Sequence, residues 1–202
     1  QKYKSVLEQA LLNLSALEFE NLVTLSDVAT VVQREEMVSR IAAEIRQYIC
    51  ELGAEGRLVS MQLEELMVNI EDDGLLVLRD YVASRPDMIS NIKETLSIWD
   101  DDELLDLSSV IRLLGYPNGT TPDLSVSARG FRLLNKIPRL PFPVVENLVE
   151  TFGELQKILE ASTEELDDVE GIGEVRARTI KDGLRRLREQ ILLDRHYFNR
   201  SI

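Results

Sequence analysis

The pentapeptide Val169-Glu170-Gly171-Ile172-Gly173 combines residue types that allow a backbone to approach an anion. Glycine tolerates positive φ and close approach at Gly171 and Gly173, while Ile172 can anchor the turn in a core. The first N–H groups of a helix after Gly173 have no intrahelical acceptors, and the helix dipole leaves that end partly positive. A phosphate oxygen can accept hydrogen bonds there, so the pattern predicts a phosphate-binding hairpin.

The helix predicted after Gly173 is rich in basic residues. Ala177, the small residue four places after Gly173, completes the spacing typical of a helix-hairpin-helix. We predict DNA contacts on the backbone rather than on the bases, which makes binding depend on shape and not on sequence. The candidate contact residues of this hairpin and helix are Gly171, Ile172, Gly173, Arg176, Arg178, Lys181 and Arg185, with Arg186 following on the same helix.

An internal repeat with an offset of 32 residues links this hairpin to an earlier one. Eight pairs of apolar residues match without a gap: Leu134/Leu166, Ile137/Val169, Leu140/Ile172, Val145/Ala177, Leu148/Ile180, Phe152/Leu184, Leu155/Leu187 and Leu159/Ile191. A unit of this size cannot bury its own apolar face, so we expect the two units to pack around one core. With a connecting helix between them, they form a tandem helix-hairpin-helix.

The first hairpin departs from the second, because Arg139-Leu140-Pro141 stands where the second hairpin has its glycines. Pro141 has no N–H to donate, although proline suits the first turn of a helix. We therefore expect this hairpin to be the weaker backbone donor. Arg139 can reach a phosphate through its side chain instead, supported by Arg129, Arg132 and Lys136.

Charge is divided unevenly along the 202 residues, whose net charge is −13. Residues 1–128 carry 10 basic and 23 acidic side chains, whereas residues 129–202 carry 13 of each. Within the latter, residues 171–202 hold eight basic and four acidic side chains. An acidic part repels a polyanion, so we expect a nucleic acid to meet the C-terminal end.

Apolar residues recur at helical spacing through residues 1–114, so we predict an all-α fold with a helical bundle in this part. Ser15 and Glu18 predict a capping box that begins a second helix. A long helix is expected to begin near Ser26 and to end at Gly53, the residue type that best adopts a left-handed C-terminal cap.

Three further segments complete the bundle. A helix over residues 60–70 is expected to end at Asp72-Asp73-Gly74, and residues 75–82 fit helix or strand equally well. We expect Pro86 to break the pattern, and residues 101–114 to form the last helix. The acidic run 100–103 superficially resembles a metal cluster, but carboxylates at a helix start complement the dipole, and we favour that interpretation.

Composition sets the organisation of the whole chain. Residues 115–128 are rich in turn formers, which predicts a helical domain over 1–114, a linker over 115–128 and the tandem domain over 129–202. The single cysteine, Cys50, excludes a disulfide framework and favours a reducing cytoplasm. No apolar run approaches the roughly 20 residues that span a bilayer, so no membrane partner is expected. The chain begins without Met, and we expect it to be a fragment of a longer protein.

Several segments, taken in order, resemble one family over essentially the whole chain. They are Leu25-Ser26-Asp27-Val28, Glu51-Leu52-Gly53, Gly115-Tyr116-Pro117, Arg129-Gly130-Phe131-Arg132, Ile137-Pro138-Arg139-Leu140-Pro141 and the Gly171 hairpin. The chain thereby resembles the linker and helix-hairpin-helix part of the bacterial DNA integrity scanning (DisA) family. The order of the segments is more specific than the hairpin, which many repair proteins share.

The resemblance implies an N-terminal diadenylate cyclase domain that uses ATP and a divalent metal to make cyclic di-AMP. It also implies an octamer whose tips engage branched DNA such as Holliday junctions, and a protein of the bacterial cytoplasm associated with the nucleoid. The cyclase motifs Asp-Gly-Ala and Arg-His-Arg are absent from this sequence. We therefore expect no catalysis, no catalytic or metal-binding residues and no cofactor in this chain. Any self-association would have to form without the cyclase domain, on which the family's octamer relies heavily.

Two hypotheses of different classes remain open. The first is a non-catalytic module that binds branched duplex DNA through phosphates. The second is an oligomerisation or protein-interaction scaffold in which the C-terminal repeat is only a packing unit. A nuclease subunit is a weaker third, because no carboxylate cluster suited to metals is evident.

Overall fold

A computed structural model describes residues 2–83 and 88–200 of the chain. Within these ranges the fold is all-α, as predicted, and its only β feature is one isolated bridge between Thr24 and Ser125. None of the helices in the described ranges is both long enough and apolar enough to cross a membrane. Pro86, expected to break a helix, lies outside the described residues.

The described residues form an N-terminal group and a C-terminal group of helices. The N-terminal helices are α1 (Lys2–Glu20), α2 (Leu25–Leu52), α3 (Arg57–Tyr81), α4 (Ile89–Ile98), α5 (Asp101–Leu105) and α6 (Leu107–Leu113), with a 3-10 turn at Gly53–Gly56. The C-terminal helices are α7 (Phe131–Asn135), α8 (Phe142–Phe152), α9 (Leu155–Glu160), α10 (Thr163–Asp167) and α11 (Glu174–Arg200).

The first helix does not break at Ser15. The predicted capping box is wrong, because α1 continues to Glu20 and the Ser15 hydroxyl donates to the Leu11 carbonyl at 2.9 Å. Glu18 is buried and is used elsewhere in the core. The capping-box pattern fails here because the Ser15 hydroxyl bonds within α1 and the Glu18 side chain is buried in the core.

The long helix α2 lies close to its predicted bounds. It begins after Thr24, whose N–H and hydroxyl both donate to the Asp27 carboxylate, at 2.9 and 2.7 Å. It ends at Gly53, which adopts a positive φ of 57°. A local capping signal and a glycine stop therefore define this helix, and α1 and α3 both pack against it.

Helix α3 is continuous through the stretch where we expected an end. Gly74 is helical, and residues 75–82, which fitted helix or strand, are helical as far as Tyr81. A Cβ at Gly74 would lie 2.5 Å from the Glu35 Cδ. Gly74 therefore lies inside α3 at a close contact with the Glu35 side chain of α2, and it does not form a turn.

The predicted last helix of the bundle is two short helices. Asp106 interrupts it and caps α6, accepting hydrogen bonds from the N–H groups of Ser108 and Ser109 at 3.3 and 3.0 Å. At the start of α5, the Asp100 side chain accepts from the Glu103 N–H at 2.8 Å, which confirms the interpretation of that acidic run as a helix start.

The non-helical segment 115–128 is fastened to the α1–α2 turn. Its backbone forms hydrogen bonds from Leu25 N–H to the Leu124 carbonyl, from Ser26 N–H to the Pro122 carbonyl and from Val126 N–H to the Val23 carbonyl, at 3.0, 2.8 and 3.0 Å. These backbone hydrogen bonds fix the segment that leads into the C-terminal helices against the N-terminal helices.

A buried charged cluster joins the two groups of helices, and it corrects one predicted DNA contact. Arg132 on α7 has no exposed side-chain surface and pairs with Glu18 on α1 at 2.8 Å. Tyr81 donates to the same carboxylate at 2.7 Å. Arg132 therefore cannot contact a phosphate at the surface, and its role is to anchor α7 in the core.

Asp80 of α3 caps α7 from outside that helix. Its carboxylate accepts hydrogen bonds from the N–H groups of Gly130, Phe131 and Arg132 at 2.9, 2.7 and 3.2 Å. Burial and the neighbouring Glu18 carboxylate raise the pKa of Asp80 to about 7. The start of the first hairpin unit is thus held by a side chain of the N-terminal helices.

Candidate nucleic-acid interface

The two predicted units have matching backbones. The pairs α7/α10 and α8/α11 each begin 32 positions apart, at Phe131 and Thr163 and at Phe142 and Glu174. The match ends near Phe152, where α8 stops and α11 continues. The last two pairs of the predicted repeat, Leu155/Leu187 and Leu159/Ile191, therefore lie in different settings, with α9 as the connecting helix.

The second hairpin has the geometry expected of an anion-binding turn. Gly171 has a positive φ of 81°, and Ile172 is only 7% exposed while both glycines around it are exposed. The Ile172 N–H donates to the Val169 carbonyl at 3.0 Å, and α11 begins at once with Ala177 N–H donating to the Gly173 carbonyl at 2.9 Å. The N–H groups of the first turn of α11 therefore face outward without helical acceptors.

Two side chains brace this hairpin. The Arg176 guanidinium donates to the Gly171 carbonyl, so this predicted phosphate contact folds back over its own turn. Asn147 on α8 donates to the Glu170 carbonyl at 2.9 Å. Asn147 is a functional candidate that the sequence did not reveal, because its contact depends on packing of α8 beside a hairpin 23 residues away.

The first hairpin repeats the same path with different chemistry. Arg139 occupies the position of Gly171 and also adopts a positive φ, of 63°. The Leu140 N–H donates to the Ile137 carbonyl at 3.4 Å, in parallel with the bond of Ile172. Proline at 141 removes a backbone donor where Gly173 keeps one. The exposed Arg139 has no hydrogen-bond or ion-pair partner among the described residues.

The other basic residues of α11 differ in availability. Arg178 pairs with Glu174, and Arg185 pairs with Asp182 at 3.2 Å, on exposed surfaces where such pairs are weak and a phosphate can replace the carboxylate. Lys181 is half-buried and donates to the Leu159 and Ala161 carbonyls at the end of α9, at 3.1 and 2.5 Å. Two of its three ammonium donors are therefore already used.

Lys136 lies at the edge of the buried cluster. Its ammonium is 3.7 Å from the Asp73 carboxylate, and its side chain is 37% exposed. Burial and the neighbouring Arg132 guanidinium lower the pKa of Lys136. The structure therefore places Arg139 and Lys136 near one hairpin but leaves Arg139 as the free cation of the two.

A cleft separates the first hairpin from α11, and we call it the hairpin cleft. It has a volume of about 700 Å³, and its lining includes Lys136 and Arg139 on one side and Asp182, Gly183 and Arg186 on the other. A smaller cavity of about 510 Å³ continues from Arg139 to Gly173 and Arg176. The two hairpins thus share one grooved surface.

Known protein families match both the N-terminal helices and the tandem helix-hairpin-helix. Residues 1–122 match the family described as the DisA bacterial checkpoint controller linker region, which covers more than half of the chain. The chain belongs to this family. Residues 144–186 match the SAM-like helix-hairpin-helix tandem. The linker and tandem parts of the predicted resemblance are therefore confirmed.

Curated relatives of this chain carry the name DNA integrity scanning protein DisA. The protein of Carboxydothermus hydrogenoformans is 56% identical over 192 residues, covering 94% of this chain and 54% of the relative. Proteins of Clostridium botulinum and Clostridium acetobutylicum are each 51% identical, over 96% of this chain and 55% and 54% of their own lengths. The chain spans about half the length of the curated relatives that it matches.

Proposed function

We propose that this chain is a non-catalytic DNA-binding module of the DisA family, which holds duplex DNA by its phosphates without reading its sequence. The second hairpin is the observation that carries the proposal. Its exposed glycines and the outward N–H groups at the start of α11 offer backbone donors to a phosphate oxygen. A glycine at 171 with a positive φ lets the backbone come close to the ligand.

Electrostatics supports the same surface. The surplus of acidic residues lies in residues 1–128, whereas residues 171–202 carry a surplus of basic residues. A polyanion is repelled by the helical bundle and drawn to the hairpin end. The proposal places the chain in the bacterial cytoplasm, with DNA as its partner and the nucleoid as its location.

The preference for branched duplexes, including Holliday junctions, is part of the proposal. Contacts to phosphates carry no base information, so the arrangement of the two hairpins selects the shape of the DNA. In the longer protein, we propose that a cyclase domain uses ATP and a divalent metal to make cyclic di-AMP, and that the assembly is an octamer. We further propose that DNA binding at the hairpins inhibits the cyclase.

A binding comparison tests the proposal. A labelled four-way junction, a linear duplex and a single strand are titrated with the chain at about 50 and about 200 mM salt. We expect the junction to bind best and affinity to fall steeply with salt, because released counterions drive phosphate binding. A flat salt dependence contradicts DNA binding, and equal affinity for junction and duplex contradicts the shape preference alone.

A scaffold function is the second candidate, and one observation favours it. Exposed apolar side chains gather around the α2–α3 turn: Tyr48, Leu52, Leu58, Val59 and Met61. Exposed apolar patches mark interaction surfaces when they are contiguous. Sedimentation of the chain alone and with a four-way junction separates the candidates, because a scaffold self-associates without DNA and a DNA-binding module gains mass only with the junction.

A further inference from the structure

We infer that the hairpin cleft is a second phosphodiester site, in which the side chains of Arg139 and Arg186 replace the backbone donor that Pro141 cannot supply. The inference rests on the proposed DNA binding and assigns Arg186 a role in it. The ligand is a backbone phosphate of the bound DNA.

The chemistry of the first hairpin calls for side-chain donors. Pro141 occupies the position of Gly173, so the turn lacks an N–H at the point where the second hairpin offers one. Arginine presents several N–H donors in a fixed fork that fits phosphate oxygens. Arg139 replaces Gly171 at the same left-handed backbone position, which places a guanidinium on the turn itself.

Arg186 faces the first hairpin because of its position on α11. Thr179, Gly183 and Arg186 are spaced by four and three residues, so they share one face of α11, and they line the hairpin cleft together with Asp182. Gly183 lies in the closest contact, since a Cβ there would be 2.8 Å from the Ile137 Cγ2. Arg186 therefore lies one turn beyond the contact, beside the hairpin that carries Arg139.

The charges around the cleft favour an anion. Neither Arg139 nor Arg186 has a hydrogen-bond or ion-pair partner in the described part of the chain. The two other ionised groups of the lining are already paired, Asp182 with Arg185 at 3.2 Å and Lys136 with Asp73 at 3.7 Å. The lining therefore carries three cationic side chains against the one carboxylate of Asp182, and two of the three, Arg139 and Arg186, are unpaired within the described ranges.

The two hairpins differ in the side-chain contacts that hold them. Asn147 ties the second hairpin to α8 through the Glu170 carbonyl. Thr179, the residue at the corresponding position of α11, instead donates to the Val175 carbonyl of its own helix at 2.9 Å. The first hairpin therefore has no such tie and leaves room for a phosphate.

Matched charge removals on one helix test the inference. Arg186→Ala and Arg188→Ala each remove one exposed guanidinium from α11, but only Arg186 lines the cleft. Affinity for a labelled four-way junction is measured at several salt concentrations, together with Arg139→Ala and the double variant. Circular dichroism checks that all four remain folded.

We expect Arg186→Ala to weaken binding about 3- to 10-fold and to reduce the salt slope by about one, and Arg188→Ala to change affinity less than about twofold. The Arg139→Ala/Arg186→Ala double variant should lose less than the product of the single losses, because the two side chains share one phosphate. Equal effects of Arg186→Ala and Arg188→Ala overturn the cleft site.

A further variant separates this inference from the proposed function. Gly173→Pro removes one backbone donor of the second hairpin and leaves the residues that line the hairpin cleft unchanged. If Gly173→Pro weakens binding while the two arginine variants behave alike, the cleft inference fails and DNA binding by the hairpin stands. If the unmodified chain binds no DNA, both fail.

Discussion

Three buried ionisable residues join the first hairpin unit to the N-terminal helices. Glu18 and Asp80 are each 2% exposed and Arg132 is 0% exposed, and they come from α1, α3 and α7. Two guanidinium nitrogens of Arg132, Nε and Nη1, lack a hydrogen-bond partner among the described residues. Such a cluster contributes little net stability while intact, but removal of one partner leaves a buried charge uncompensated.

Removal of the Arg132 side chain tests this arrangement. We expect Arg132→Met to lower the free energy of unfolding by about 3–5 kcal/mol, because Glu18 is left buried without its counter-charge. The Glu18→Leu/Arg132→Met double variant should recover much of that loss. Urea unfolding followed by circular dichroism measures both, and a double variant as unstable as the single one would contradict a pairing role.

The titration of Asp80 gives stability a dependence on pH. Burial and Glu18 raise the pKa of Asp80 from 3.8 to about 7 in the folded chain. Between those values the folded chain binds more protons than the unfolded chain, so its free energy of unfolding falls as pH rises. We expect a smaller fall between about pH 5.5 and 7.5 in Asp80→Asn. Equal falls in urea unfolding of the two proteins would show that Asp80 does not titrate there.

Among the contacts between helices and turns, the contact of α11 with the first hairpin determines how far apart the two lie. Gly183 allows α11 to pass close to Ile137, which is 3% exposed. The distance between helix and hairpin sets the width of the hairpin cleft and the separation of the two hairpins. We therefore expect Gly183 to act as a positioning residue for the proposed DNA site.

Gly183→Ala should change binding more than stability. A Cβ at this position would lie 2.8 Å from the Ile137 Cγ2, so the Ile137 side chain or the hairpin that carries it must shift. Alanine also favours helix by about 1 kcal/mol over glycine, which offsets the crowding. We expect affinity for a four-way junction to fall about 2- to 5-fold with an unfolding free energy within about 1 kcal/mol of the unmodified chain. Leu193→Ala, an exposed change on the same helix, is the control, and unchanged affinity in Gly183→Ala argues against a positioning role.

Local signals predicted some elements of this fold well. The ends of α2, the Asp100 start of α5 and the hairpin repeat each follow from residue types a few positions apart. Gly74, Glu18 and Arg132 were misinterpreted because their roles depend on contacts with distant helices. A glycine needed for helix approach looks like a stop, and a buried arginine looks like an exposed one, until the partner helix is known.

The candidate site was likewise predictable from the sequence only where its features are local. The turn, its glycines and the proline difference are local features of the sequence. The cleft, Asn147 and the contribution of Arg186 depend on how α8 and α11 pack beside hairpins far away in the chain. Lys181 illustrates the limit, because it shares a stripe with Arg178 and Arg185 yet caps the end of α9.

The N-terminal and C-terminal helices share one core at the scale of the whole molecule. Buried apolar residues form a continuous cluster that extends from Leu7 to Ile191. Arg129 reinforces the junction by donating to the Arg79 and Val82 carbonyls at 2.9 and 2.8 Å. Hairpins held in this way cannot reorient freely on the helical bundle.

A shared core predicts one unfolding event. We expect thermal unfolding followed by far-ultraviolet and near-ultraviolet circular dichroism to give coincident transitions, because loss of either group of helices exposes the core of the other. Calorimetry provides the independent check. Two separated transitions would show that the bundle and the tandem fold on their own.

The affinity of Gly173→Pro for DNA tests the central claim most directly. The substitution gives the second hairpin the proline that the first hairpin already has at Pro141, so the backbone path is retained while one N–H is lost. Pro141→Gly is the reciprocal control, which adds a donor. We predict that Gly173→Pro binds a four-way junction about tenfold more weakly than the unmodified chain at about 100 mM salt, as expected for a lost hydrogen bond to a charged group, and that Pro141→Gly binds at least as well. Unchanged affinity in a folded Gly173→Pro chain would contradict phosphate binding by the hairpin backbone.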